Sequence, residues 1–192
     1  MGDVMATNDR SHSAWTTDSE HPEARFAADY ALQLDICASL LAVADSLPGS
    51  LNTTTIDILS KLVQSTWEAH LKLLGEVILP LVARRHESIS DVQKLFTPLT
   101  RQHIEISSLN DELTECFEMI ARGEPVESGM LGFLIRNAAD RRREHVDWEK
   151  ALLSPLLPKI LSPTERQVYA EWAAANPWPY EGFNVPNISD LN

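Results

Sequence analysis

Four stretches of this sequence place apolar residues at three- and four-residue steps, and nothing in it alternates as a strand would. That period is the mark of a helix with one buried face. In the first stretch, from Ala24, the face is Phe26, Tyr30, Leu34, Cys37, Leu41 and Ala44, and Pro48-Gly49 should end the helix at Leu47. A second helix is expected from Asn52, a good N-cap, through Ile56, Leu59, Leu62, Val63, Trp67, His70, Leu74, Val77 and Ile78 to Pro80. Arg84 to Ser90 reads as a connector. The third helix should start between Ser88 and Thr97, with Pro98 as its N1 residue or the cause of a kink, and run through Leu99, His103, Ile106, Leu109, Leu113, Cys116 and Met119 to Gly123. The fourth carries Leu131, Leu134, Ile135, Ala138, Arg142, His145, Trp148, Glu149 and Leu152 as far as Pro155. Ser162-Pro163-Thr164-Glu165 is a capping box, predicting a short helix through Trp172. The expected fold is therefore all-α, an up-down antiparallel four-helix bundle over 24–163. A polar arm (1–23) precedes it, and a short helix with an irregular aromatic tail (164–192) follows.

The 192 residues suit one domain of this kind, large enough to fold without disulfides or a structural metal. Acidic side chains number 28 against 16 basic ones, a balance of −12 that repels phosphate backbones and anionic lipid. Nucleic acid and membrane surfaces are thus poor partners. Two cysteines, Cys37 and Cys116, are too few for a disulfide framework. No apolar run reads as the roughly 20 residues of a membrane span, and the N-terminus lacks the apolar region of a signal peptide. A cytoplasmic location is the expectation.

Comparing the chain with itself exposes a repeat. His70 and His145, 75 residues apart, are each followed ten residues later by Pro-Leu, at Pro80-Leu81 and Pro155-Leu156. An offset of 73 lays His103 over Tyr30, Leu109 over Ile36 and Leu113 over Leu40. Two helix hairpins with matched positions would meet at one level of the bundle core. His145 and Glu149 form an i,i+4 pair on the apolar side of their helix, so both can reach one cation. His70, between Trp67 and Leu74, and His103, between Leu99 and Ile106, also face the core. Three imidazoles and one carboxylate suit a first-row transition metal, with non-haem iron leading. Buried imidazoles can equally be neutral and hydrogen-bonded to the backbone or to one another.

At these residues the chain resembles the hemerythrin-like, or HHE cation-binding, family, whose hallmark is H-x-x-x-E ahead of a helix-ending proline, present twice, with further single histidines. The likeness spans residues 24–163. The fourth helix matches through His145, Glu149 and Pro155, and the third through His103. The second keeps His70 and Pro80 but has Leu74 at the carboxylate position, while Glu76 points about 120° away. Tyr30 stands where the first helix should bear histidine, with Gln33 one turn on. The resemblance implies a core metal, mononuclear here rather than di-iron because one bridge and one imidazole are missing. His70, His103, His145 and Glu149 would be ligands, and Tyr30 an auxiliary phenolate or hydrogen-bond donor. It further implies a non-catalytic sensing or protective role towards oxygen, nitric oxide or peroxide. Two other readings stand beside it. One is a metal-free bundle serving as a protein-interaction module, with Leu74 and Tyr30 filling the vacated core; the other is an oxidase, which would want more carboxylates.

Other residues have plainer expectations. Trp67 and Trp148 could exclude water from the site, although core packing explains them more simply. Arg141-Arg142-Arg143, interleaved with Asp140, Glu144 and Asp147, reads as a solvated face. Cys37 and Cys116 should be buried and inert, Glu105 exposed, and His12, His21 and His86 ordinary surface histidines. Trp178, Tyr180 and Phe183 should fold back over the bundle. No catalytic Ser-His-Asp set, phosphate loop or zinc-type cysteine spacing is present.

Overall fold

Each periodic stretch is helical in the computed structural model, which describes residues 22–49, 51–85 and 89–177. Helix α1 (Pro22–Ser46) is followed by α2 (Thr53–Leu73), a π-helical turn (Leu74–Ile78) and α3 (Leu79–Arg85). Then come α4 (Ile89–Ala121), α5 (Ser128–Leu153), the short α6 (Leu157–Ile160) and α7 (Pro163–Ala175). Helix α1 packs on α2 and α5, and α4 packs on α2 and α5, which closes a four-helix bundle. The arm, the tail aromatics and His12, His21 and His86 lie outside the described residues.

Local chemistry sets most of the ends. Asn52 accepts hydrogen bonds from the amides of Thr54 (3.0 Å) and Thr55 (3.2 Å), capping α2. Gly123, at φ 73°, ends α4, with its amide bonded to Ile120 and that of Glu124 to Met119. Only a residue at ease in the left-handed region closes a helix in this Schellman pattern. Ser162 and Glu165 form the reciprocal capping box at α7.

One proline expectation fails, and one of the two readings of Pro98 is excluded. The second helix does not stop at Pro80, because the π turn lets the chain continue helically to Arg85. In that turn the Leu79 amide bonds Leu74, one residue beyond an α register. The widened turn moves carbonyls away from the proline ring that an α-helix would drive into it. Pro98 is not an N1 residue but lies well inside α4. It sits on the exposed face, where water can take up the carbonyl deprived of its donor.

The core falls into two apolar clusters. At one end Phe26, Tyr30, Leu73, Leu74, Ile78 and Val146 pack with Leu157 and Tyr169 from the C-terminal helices. At the other, Ile36, Leu59, Leu62, Leu113, Phe117 and Ile135 interdigitate. Between them lies a buried polar layer of Asp29, Gln33, Thr66, His70, Arg142, His145 and Glu149. Helix α7 covers the first cluster and is clasped at its C-terminal end. Arg25 donates to the Asn176 carbonyl (2.7 Å) and sits over the Trp172 ring, and Lys72 donates to the Asn176 side chain (2.6 Å). Both cations suit the negative end of the helix dipole.

Two further expectations change. Ala24–Ser46 is, by length and composition, apolar enough to cross a membrane, although half of that stretch is buried within the bundle. Arg142 does not belong to a solvated face. It is 1% exposed, holds its guanidinium 5.3 Å from the Trp67 ring centre and donates to the Val63 carbonyl (2.9 Å). Its position, one turn from both Ala138 and His145, carries it inward while Arg141 and Arg143 stay outside.

Candidate metal centre

The polar layer brings His70, His103, His145 and Glu149 together, with one potential ligand atom from each lying within 4.8 Å of the others. Helix α2 supplies His70, α4 supplies His103, and α5 supplies both His145 and Glu149. His70, His145 and Glu149 have no exposed surface, whereas His103 is partly exposed. The group can hold a metal ion.

Hydrogen bonds on the outer edge of the imidazoles decide what their inner edges offer. Asp29 Oδ2 accepts from His70 Nδ1 at 2.7 Å, and Gln102 Oε1 accepts from His145 Nδ1 at 3.2 Å. In its neutral form with the proton on Nδ1, each ring turns an Nε2 lone pair inward, and outer partners of this kind orient ligating histidines. The inner atoms form a tight triangle. His70 Nε2 is 3.3 Å from His145 Nε2 and 3.3 Å from Glu149 Oε2, and His145 Nε2 is 3.6 Å from that oxygen. A point about 2 Å from all three atoms lies at the centre of such a triangle, the length of a metal–imidazole bond. Among the described residues no well-aligned hydrogen bond reaches either Glu149 oxygen or His103 Nε2. Three acceptors converging in a dry interior, one of them an unsatisfied carboxylate, are costly unless a cation or a proton joins them. The donor set therefore fits a metal.

Protonation follows the same electrostatics. Burial works against charge on His70, but the Glu149 and Asp29 carboxylates outweigh it and raise its pKa above the ordinary value. Burial, reinforced by the His70 charge, pushes His145 down to about 2 and His103 down to about 3. Burial raises the Glu149 carboxyl to about 7 against the pull of His70. Two imidazoles are thus neutral and ready to bind a cation, while protons compete for His70 and Glu149.

The surroundings show what residue spacing missed. Trp67 stacks on His70 (5.1 Å, 21°) and meets His103 and His145 edge-on at 5.6 and 5.3 Å, so it touches all three imidazoles. Its indole N–H donates to Ser107 at 2.9 Å. Trp148 contributes nothing comparable; it is 36% exposed, about 100° round α5 from Glu149. Burial first, and then the neighbouring Glu149 and Asp29 carboxylates, raises the pKa of Tyr30, whose hydroxyl interacts with the Glu149 side chain. Leu74 is buried in the adjoining apolar cluster. Glu76 faces outward and accepts from the Trp172 indole at 2.7 Å. Asp29 was the residue to find. Its only local trace is that Asp29 and Gln33, four residues apart, fall on the buried face of α1, which does not name the partner.

Cys37 and Cys116 are both buried thiols, and burial raises Cys37 to about 11, consistent with inert packing. Glu105 pairs with Arg101 at 3.0 Å on the outer side of α4. Comparison of the chain with family models, curated proteins and solved structures finds no match.

Proposed function

We propose that this chain is a hemerythrin-like bundle holding a single non-haem metal ion, iron by preference, through His70, His103, His145 and Glu149. One observation carries the reading: the triangle of His70 Nε2, His145 Nε2 and Glu149 Oε2, with sides of 3.3, 3.6 and 3.3 Å. The mononuclear count rests on Leu74 and Tyr30, with one candidate ligand group found among the described residues. Three nitrogens and one oxygen suit a first-row transition ion, and the family resemblance selects iron. When bound, such an ion supplies an electrophilic centre for a small ligand such as oxygen, nitric oxide or peroxide, in a sensing or protective role rather than turnover. The protein's own residues do the rest. Asp29 and Gln102 orient two imidazoles, Trp67 keeps water from the rings, and α5 delivers a nitrogen and an oxygen one turn apart.

One observation favours a metal-free reading. A doubly protonated His70 can donate to Asp29 and to His145 Nε2, which satisfies both imidazoles without a cation. It leaves Glu149 Oε1 unpartnered in the core, and that weighs towards metal. The test is metal quantification after expression in iron-supplemented medium and gentle purification, beside a His145→Ala/Glu149→Ala variant. A content near one per chain, lost in the variant, is expected. Less than about 0.1 would sink the metal reading, and about two would overturn the mononuclear one.

A further inference from the structure

The four candidate ligands are not held alike. His145 and Glu149 share one helix, and His70 and His145 are each fixed by a hydrogen bond on the outer edge of the ring. Their three inner atoms already stand at the mutual spacing of ligands on one metal. Two imidazoles and one carboxylate on one face leave the opposite positions open. His103 differs in every respect. Among the described residues no hydrogen bond holds its ring, its Nε2 is unpartnered, and it alone of the four is partly exposed. Its side chain rests only on ring contacts, 4.8 Å from His145, 5.6 Å from Trp67 and 5.8 Å from His70.

We propose that His70, His145 and Glu149 form a fixed triad that holds the metal, and that His103 is an exchangeable fourth donor guarding the open face. This rests on the metal reading above and assigns His103 its regulation. Because His103 is the one partly exposed member of the group, its withdrawal opens a space the size of an imidazole. The ligand class that fits is a small monodentate donor, no larger than imidazole, arriving from the α4 side.

The test uses cobalt(II), whose visible spectrum reports coordination, with azide and free imidazole as probes. Wild type, His103→Ala, His103→Gln and His145→Ala are compared, with helical content checked by circular dichroism. The triad predicts that both His103 variants keep cobalt within about tenfold of wild-type affinity, while His145→Ala loses about 100-fold or more. It also predicts that azide and imidazole bind cobalt-loaded His103→Ala at least about tenfold more tightly than the wild type, because no side chain has to be displaced. Loss of cobalt from folded His103→Ala or His103→Gln as severe as from His145→Ala would overturn the division, as would unchanged azide affinity. If His103→Ala does not fold, His103→Gln decides by the same criteria. Absence of cobalt from the wild type would overturn the metal reading itself, an outcome distinct from both.

Discussion

Asp29 offers the sharpest test of how the site is built. The aspartate and His70 are both wholly buried, and among the described residues their 2.7 Å contact holds the outer edge of that ring. Asp29→Ala frees the imidazole to rotate and to place its proton on Nε2, turning the ligating atom into a donor. Outer partners of ligating histidines are worth about 10–100-fold in metal affinity, and a fully buried, charged one belongs at the upper end, about 2.7 kcal/mol. Asp29→Asn keeps an oxygen that can accept from Nδ1 but removes the charge, so about tenfold is expected. An opposing effect must be separated. Without Asp29, His70 binds its proton less strongly, which relieves competition with the metal. Measuring zinc or cobalt affinity by chelator competition over a rising pH series suppresses that relief step by step, because fewer protons remain to compete. The expected order is wild type, then Asp29→Asn, then Asp29→Ala. Folded Asp29→Ala binding within about threefold of wild type would refute the orienting role.

Three further outcomes follow from the same geometry. Metal affinity should rise with pH between about 6 and about 8, because a metal must displace protons from Glu149, at about 7, and from His70, which is raised; His103 and His145 are already neutral, and a flat competition profile would contradict this. Metal at a hundredfold excess over Kd should stabilise the bundle by about 2.7 kcal/mol, a rise in Tm of about 5–10 °C by calorimetry that EDTA reverses; no shift would exclude binding to the folded state. Cobalt or copper should quench part of the tryptophan fluorescence through Trp67, which stacks 5.1 Å from His70; Trp67→Phe should lose that component, and retained quenching would place the metal elsewhere.

The bundle was legible because its helices keep an apolar period and its caps have specific chemistry, as at Asn52, Gly123 and Ser162. His145 and Glu149 announced themselves by an i,i+4 spacing, and His70 by the repeated Pro-Leu that follows it. Asp29 did not, since its role arises from a contact across 41 residues that no spacing within α1 encodes. Arg142 was hidden inside a basic run, although its step from Ala138 and to His145 already placed it on the inner face. The π turn escaped because a shift of one hydrogen-bond register leaves the apolar pattern of Leu73, Leu74, Val77 and Ile78 intact.

The buried polar layer, finally, divides the labour of the molecule. Ile36, Leu59, Leu62, Leu113 and Phe117 are assembled without any of the four candidate ligands, and they tie α1, α2 and α4 together on their own. Each such side chain contributes about 1.5–3 kcal/mol on burial. Assembly of the bundle thereby does not wait on these four side chains being filled, in contrast to a zinc finger that collapses when its metal leaves. A metal bound as proposed would add its stabilisation to a frame that already stands without it.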